Sequence, residues 1–238
     1  TPSLAVKVQF QKEEDPSLIV PGATWIKDWV KGIKWTFIKS KIMGSVARAR
    51  AVVGTDDPAL IIFTTGSTGS PKPALLSHRN ILVQNVGLAT AWEMNQTSRM
   101  MVNLPPSHVG CVTEQLDTTI FMGATAVILH VFDPVKSLDA IQKHKVTMLG
   151  QIPALFNLEW KLPDYDSYDL SSLEFAIYGG QQVSRPFLEK MKAMAPRIGT
   201  GLGLTETAGF ATYTDVNADV DDLMKGIGKD MPAFPIPV

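Results

Sequence analysis

The residues best suited to chemistry stand between 64 and 72: Thr64, Thr65, Gly66, Ser67, Thr68, Gly69, Ser70, Pro71 and Lys72. Two glycines three apart let a backbone approach a ligand closely and take positive φ. The hydroxyls offer donors, and successive N–H groups in such a turn form a nest for an anion. Lys72 adds a mobile positive charge, and Pro71 stiffens the exit from the loop. Holding a triphosphate is the chemistry such a loop suits. It is not a Walker A loop, because the lysine falls three residues after Gly69 and G-x-x-x-x-G-K-[ST] is not met. The plain alternative is an ordinary Gly/Ser turn between two strands. Three other places pair polar groups with glycine or proline. His108 follows Pro105 and Pro106, Gln181 follows Gly179 and Gly180, and Thr205–Glu206 follows Leu202 and Gly203. Taken alone each is weak: a lone histidine is more often structural than catalytic, and a strand ending in Gly-Gly is common.

These residues need a scaffold, and the apolar pattern supplies one. Ala59–Thr64 is an unbroken apolar run ending in the Gly/Ser/Thr loop, which reads as a buried strand. Pro73–Leu76 is a short second strand. Ser77 is placed to cap a helix running to about Asn95, with Ile81, Leu82, Val86, Leu88 and Ala89 apolar. Strands are expected over Met100–Leu104, Thr125–Val131, Val146–Leu149, Leu173–Tyr178 and Arg197–Leu202. Helices are expected over 108–122, Val135–Lys143, Pro153 to about Lys161, and Arg185–Ala195. This alternation predicts an α/β fold with layered, largely parallel sheets flanked by helices. Such sheets bind ligands at the carboxyl ends of their strands.

The 63–79 segment, FTTGSTGSPKPALLSHR, resembles the phosphate-binding signature of the adenylate-forming superfamily, which includes acyl-CoA synthetases, peptide-synthetase adenylation domains and firefly luciferase. Thr65 stands where that signature usually has Ser, and Pro73 where it has Gly. Pro73 removes a backbone donor and stiffens the second strand. LSHRN (76–80) also resembles the family. So does LPPSHVG (104–110), which implies that His108 orients a substrate carboxylate near the α-phosphate. LSSLEFAIYGGQQVS (170–184) resembles the strand and turn that line the adenine site, which implies that role for Gly179, Gly180 and Gln181. TGLGLTETAG (200–209) resembles the Tyr-Gly-x-Thr-Glu motif. The likeness implies Leu202 and Gly203 beside the base, Thr205 on the α-phosphate, and Glu206 holding Mg²⁺ directly or through water. Leucine at 202 loses the π contact of the usual aromatic, about 1 kcal/mol. KGIGKDMPAFPIPV (225–238) resembles a further family segment. Acyl pockets in the family lie near His108–Gln115 and Gly150–Pro153, where Val112 and Ile152 could shape one.

The resemblance implies a two-step reaction. A carboxylic acid and ATP give acyl-AMP and pyrophosphate, and a thiol, usually that of CoA, then displaces AMP. Lys72 and the loop hydroxyls would hold the β- and γ-phosphates. The chain covers only the middle of the family's large N-terminal domain. The expectation is therefore a fragment without the small C-terminal domain, close to inactive alone, cut from an AMP-forming acyl-CoA synthetase. A peptide-synthetase type of adenylation domain and a non-catalytic nucleotide-binding scaffold are the alternatives.

Composition fits these readings. The chain has 238 residues, a net charge of −1 and 45% hydrophobic residues, which suits a globular protein with a sizeable core and argues against disorder. A single cysteine, Cys111, excludes a disulfide framework or multi-cysteine metal site and fits a reducing, cytoplasmic location. The apolar stretch from Thr118 to Phe132 is too short to span a bilayer, which takes about 20 residues. Nothing points to nucleic acid as a partner. Two divisions are expected: an N-terminal segment, 1–57, and an ATP- and acyl-binding part, 58–238. Residues 25–50 hold seven basic residues against Asp28 alone, with Trp25, Trp29 and Ile33 at i, i+4 and i+8. That pattern reads as an amphipathic helix with a solvated basic face, or as a weak membrane contact.

Overall fold

Met100 and Met101, Met148 and Leu149, and Phe175 and Ala176 are neighbours in sequence, so in a strand each pair must point to opposite faces. In the computed structural model they do. Met101, Leu149 and Ala176 join a buried cluster with Leu138, Ile141, Phe156 and Leu188. Met100, Met148 and Phe175 pack instead with Leu88, Trp92 and Tyr213. The sheet is thus covered on both sides, as a parallel sheet requires.

The structure describes residues 8–10, 52–65 and 70–231. The chain divides into two compact units, residues 1–11 with 58–238, and residues 12–57. The basic segment at 25–50 lies outside the described residues. Within the larger unit six strands form one sheet, in the order β1 (Val8–Phe10), β5 (Thr125–Ile128), β4 (Arg99–Val102), β6 (Met148–Gln151), β7 (Phe175–Tyr178) and β8 (Arg197–Gly199). Every pairing in it is parallel. A separate antiparallel hairpin joins β2 (Pro58–Thr65) to β3 (Pro71–Ser77). β3 begins at Pro71 rather than Pro73. A two-stranded hairpin has free edges, so both prolines fit without breaking a ladder.

Helix α1 (His78–Ala91) starts as expected: the Asn80 N–H donates to Ser77 Oγ, and the Ser77 N–H donates to Asn80 Oδ1, closing a capping box. It ends four residues earlier than the periodicity implies. Glu93 takes φ 53°, and the Met94 N–H donates back to Ala89 O at 2.9 Å, a Schellman-type stop. The helical segment at 108–122 holds a surprise. Gly110–Asp117 is a π-helix that continues into α2 (Thr118–Met122). The amide of Asn85, reaching over from α1, donates to Thr113 O and Thr118 Oγ1, and the same carbonyl accepts the Thr118 N–H five residues on, the bond of the wide turn. Helices α3 (Pro134–His144), α4 (Pro153–Trp160) and α5 (Arg185–Met194) cover the opposite face.

β4 ends at Val102, before the expected Leu104, because Gln115 Oε1 takes the N–H groups of Asn103 and Leu104. β8 stops at Gly199, short of Leu202. Two short strands follow, β9 (Gly203–Leu204) and β10 (Gly209–Phe210), and then α6 (Val220–Lys225). Among the described residues no helix is long and apolar enough to cross a membrane.

The strand order decides where a ligand can sit. From β4 the chain steps to β5 on one side, whereas from β6 it steps to β7 on the other. The carboxyl ends of β4 and β6 are therefore the switch point, the place where loops diverge and leave a crevice.

Candidate functional site

A cavity of about 730 Å³ opens at that switch point. His108 reaches it from the loop after β4, and Gly150, Gln151 and Ile152 from the end of β6. Gly179 and Gly180 reach it after β7, Gly203, Thr205 and Glu206 after β8, and Thr64 from the end of β2. Eight residues singled out from the sequence, Ile152 among them, thus line one cavity, although they span 143 positions of chain numbering from Thr64 to Glu206.

The others fall elsewhere. Lys72 is exposed on β3 and pairs with Thr64 across the hairpin. Gln181 and Leu202 are exposed and off the cavity wall, Leu202 at 45%. Val112 is also off the wall. Gly66, Ser67, Thr68 and Gly69 lie outside the described residues, as does the side chain of Thr65.

Local structure explains how the wall residues are held. The Gly110 N–H donates to His108 Nδ1 at 3.0 Å. With Nδ1 accepting, the ring's donor is Nε2–H. His108 is therefore fixed as a donor through Nε2–H. Thr205 and Glu206 sit on a 3₁₀ turn. The turn is closed by Thr207, whose hydroxyl accepts from the Leu204 N–H and donates to Gly209 O. Ala208 completes the turn at φ 60°, and its carbonyl accepts from Thr113 Oγ1 on the π-helix. Gly180 takes φ 88°, which only glycine adopts without strain. A β-carbon on Gly201 would lie 1.9 Å from Thr212 O, so the chain there passes closer to its neighbour than any side chain permits.

Sequence reasoning passed over Glu114. It lines the cavity from the π-helix, and the Phe210 N–H donates to its Oε1 at 2.8 Å. Burial pushes its carboxyl up to about 7, with the Phe210 hydrogen bond offsetting part of the rise. Burial, and secondarily the charge of Glu114, also raises the phenol of Tyr213. The one available signal was a carboxylate inside an otherwise uncharged stretch, residues 108–116.

A second buried carboxyl was passed over too. Glu159, on α4, is fully buried, and its carboxyl is likewise pushed up to about 7 by burial. It heads a chain of amides. Gln151 Nε2 donates to Glu159 Oε2, Asn103 Nδ2 donates to Gln151 Oε1, and Gln115 Nε2 donates to Asn103 Oδ1. Gln115 and Gln151 end on the cavity wall, so the floor of the site is anchored through the sheet to the opposite helix layer.

Among the described residues no three His, Cys, Asp or Glu side chains gather as a metal cluster. Glu206 offers a single hard oxygen ligand exposed at the cavity. That suits Mg²⁺, which keeps several waters and needs only one or two carboxylates when phosphate oxygens complete its shell.

Known proteins agree with this geometry. The family model described as AMP-binding enzyme matches residues 5–237. An indoleacetate–CoA ligase of Aromatoleum aromaticum is 32% identical over 161 residues, 68% of this chain and 32% of its own length. The 4-coumarate–CoA ligase 3 of Arabidopsis thaliana is 30% identical over 160 residues, 65% of this chain and 28% of its own length. The chain thus spans about a third of the curated relatives it matches. Among solved structures, the inhibitor-bound N-terminal domain of FACL13 from Mycobacterium tuberculosis superposes with a TM-score of 0.68 at 25% identity, over 75% of this chain and 44% of that one. The fold is that of the N-terminal domain of adenylate-forming enzymes, and the chain belongs to the AMP-binding enzyme family.

Proposed function

We propose that this chain is the acid- and nucleotide-binding part of an AMP-forming acyl-CoA synthetase. The observation that carries the reading is the convergence of Thr64, His108, Gly179, Gly180, Gly203, Thr205 and Glu206 on one cavity at the sheet's switch point. The substrates are a carboxylic acid, ATP and CoA. A carboxylate oxygen attacks the α-phosphorus, the bond to the bridging oxygen breaks, and pyrophosphate leaves. The thiol of CoA then attacks the acyl carbon, and AMP departs. Both reactants of the first step are anions, so positioning and charge neutralisation lower the barrier most.

The chain's own groups have distinct parts in this. His108, fixed with its proton on Nε2, donates to the substrate carboxylate and holds it for attack; it does not serve as a base. Thr205 donates to an α-phosphate oxygen. The backbone of Gly179 and Gly180 faces the adenine, with Gln181 and Gly203 beside it, and Leu202 stands away from it on the same loop as Gly203. Thr64, Thr65, Gly66, Ser67, Thr68, Gly69 and Lys72 grip the β- and γ-phosphates. Mg²⁺, held by Glu206, supplies further neutralisation of phosphate charge when bound. The relatives are about twice as long, so turnover belongs to a longer protein, and the 238-residue chain alone is close to inactive.

Titration calorimetry of the chain with a non-hydrolysable acyl-sulfamoyl-adenosine tests the reading. Thr205→Ala and His108→Ala should each weaken binding by about tenfold or more, the scale of one hydrogen bond to a charged group. Unchanged affinity in both variants contradicts it. One observation favours a non-catalytic nucleotide-binding scaffold: Leu202 is exposed and off the wall, so no large side chain there covers a base. Acid-dependent ATP–pyrophosphate exchange by the full-length parent separates the two, since a scaffold shows none.

A further inference from the structure

Glu114 shares the cavity wall with a group of large apolar side chains. Leu88, Trp92, Met100, Ile177 and Phe210 line the same cavity and pack as one cluster, and of these Leu88, Trp92 and Met100 are each 1% exposed. An ionisable group in such a place is costly unless something uses it. The fold makes room for it deliberately. A β-carbon on Gly209 would lie 2.6 Å from Glu114 Oε1, and Gly209 itself holds φ 130°, so glycine alone permits both the turn and the carboxyl. Oε1 is occupied by the Phe210 N–H. Oε2 has no hydrogen-bond partner among the described residues, and it is the oxygen left to the cavity.

The position of Oε2 relative to His108 is also fixed. A β-carbon built on Gly110 would be 3.2 Å from His108 Nδ1 and 3.5 Å from Glu114 Oε2. The imidazole and the free carboxyl oxygen therefore flank the same small space. If His108 holds the substrate carboxylate, the free oxygen of Glu114 faces the first few carbons behind it, not the distant tail.

We propose that Glu114 is a specificity-determining residue that selects acids carrying a hydrogen-bond donor, such as a hydroxyl group, close to the carboxylate, over plain hydrocarbon acids. This rests on the acyl-adenylate reading of the cavity. A hydroxyl at carbon 2 or 3 donates to Oε2 and pairs the acceptor that the bound acyl chain covers. An unsubstituted chain buries that acceptor unpaired, and the penalty falls on the wrong substrate.

The test uses three matched acyl-sulfamoyl-adenosines, carrying octanoyl, 3-hydroxyoctanoyl or 8-hydroxyoctanoyl. Each is titrated into the chain and into its Glu114→Leu and Glu114→Gln variants, with melting curves to confirm folding. The wild type should bind the 3-hydroxy compound about tenfold more tightly than octanoyl, with no gain from the 8-hydroxyl. Glu114→Leu should lose that preference and bind octanoyl more tightly than the wild type does. Glu114→Gln, which keeps an oxygen for the Phe210 N–H, should retain part of it. Equal binding of octanoyl and 3-hydroxyoctanoyl by the wild type, or a preference that survives in Glu114→Leu, overturns the assignment while leaving the adenylate reading intact. Failure of all three to bind a folded chain contradicts the adenylate reading and this one with it.

Discussion

Glu114 and Glu159 are chemically alike and titrate alike, both pushed up to about 7 by burial, yet their surroundings differ. Glu159 is sealed in the helix layer formed by α3, α4 and α5. Its Oε2 is held by Gln151, while Oε1 has no hydrogen-bond partner among the described residues; Ser137 Oγ lies beside it but makes no hydrogen bond of ordinary geometry. Glu114 is held by one backbone N–H and leaves its other oxygen to a cavity. A shifted carboxyl therefore says little by itself. What separates a structural group from a binding group here is whether the unpaired oxygen faces packed protein or open space.

The largest effect that sharpens this contrast is on stability. Glu159→Ala opens a closed void and orphans the Gln151 amide, so it should destabilise the fold by about 3–4 kcal/mol in denaturant titrations at pH 5. Glu114→Ala enlarges an existing cavity and should cost about 1 kcal/mol. Equal losses would erase the distinction.

The pH dependence comes next. Both carboxyls bind a proton more tightly when folded than when unfolded, where the ordinary value is 4.5. The penalty for ionising them is absent below about 4.5, grows as the pH rises toward about 7, and is constant above that. For Glu159 it amounts to about 3 kcal/mol. Stability should therefore fall between pH 4.5 and 7. Glu159→Gln should flatten that fall and be the more stable protein at pH 8. A stability that rises over this interval in the wild type would contradict the burial argument.

Much of this architecture was legible in the sequence, because the alternation of apolar runs with capped amphipathic segments is a local signal. Ser77 and Asn80 close the capping box that the Ser77 position implied. Five of the six parallel strands lie near their expected places, shifted by a few residues at their ends, whereas β1 was not foreseen. The π-helix was not legible. Its wide turn is joined by the Asn85 amide arriving from another helix, and no periodicity within 110–117 records that. Glu114 and Glu159 were hidden for the same reason, since a glutamate's burial is decided by what packs on it. Leu202 shows the converse. A motif likeness placed it beside the base, but the backbone around it, pinned by Ala211 and Thr212 N–H groups on its carbonyl, leaves its side chain exposed.

Two smaller effects probe the site further. Gly209→Ala sets a β-carbon against Glu114 Oε1 at a φ that alanine avoids. It should cost about 2 kcal/mol of stability and also lower affinity for a 3-hydroxyacyl analogue, both readable from melting curves and calorimetry. Leu202→Tyr restores an aromatic to the motif, but at an exposed position. It should change AMP affinity by less than about 0.5 kcal/mol. A gain of about 1 kcal/mol would mean that the loop moves onto the base when nucleotide binds.

The central claim is that the carboxyl ends of β4, β6 and β7 form an acyl-adenylate site. Hydrogen–deuterium exchange of the chain with and without a saturating acyl-sulfamoyl-adenosine tests it most directly. Added protection is expected at 107–112, 150–152, 179–180 and 203–207. Protection confined to other surfaces, such as the groove beside Arg79 and Gln84, would contradict it.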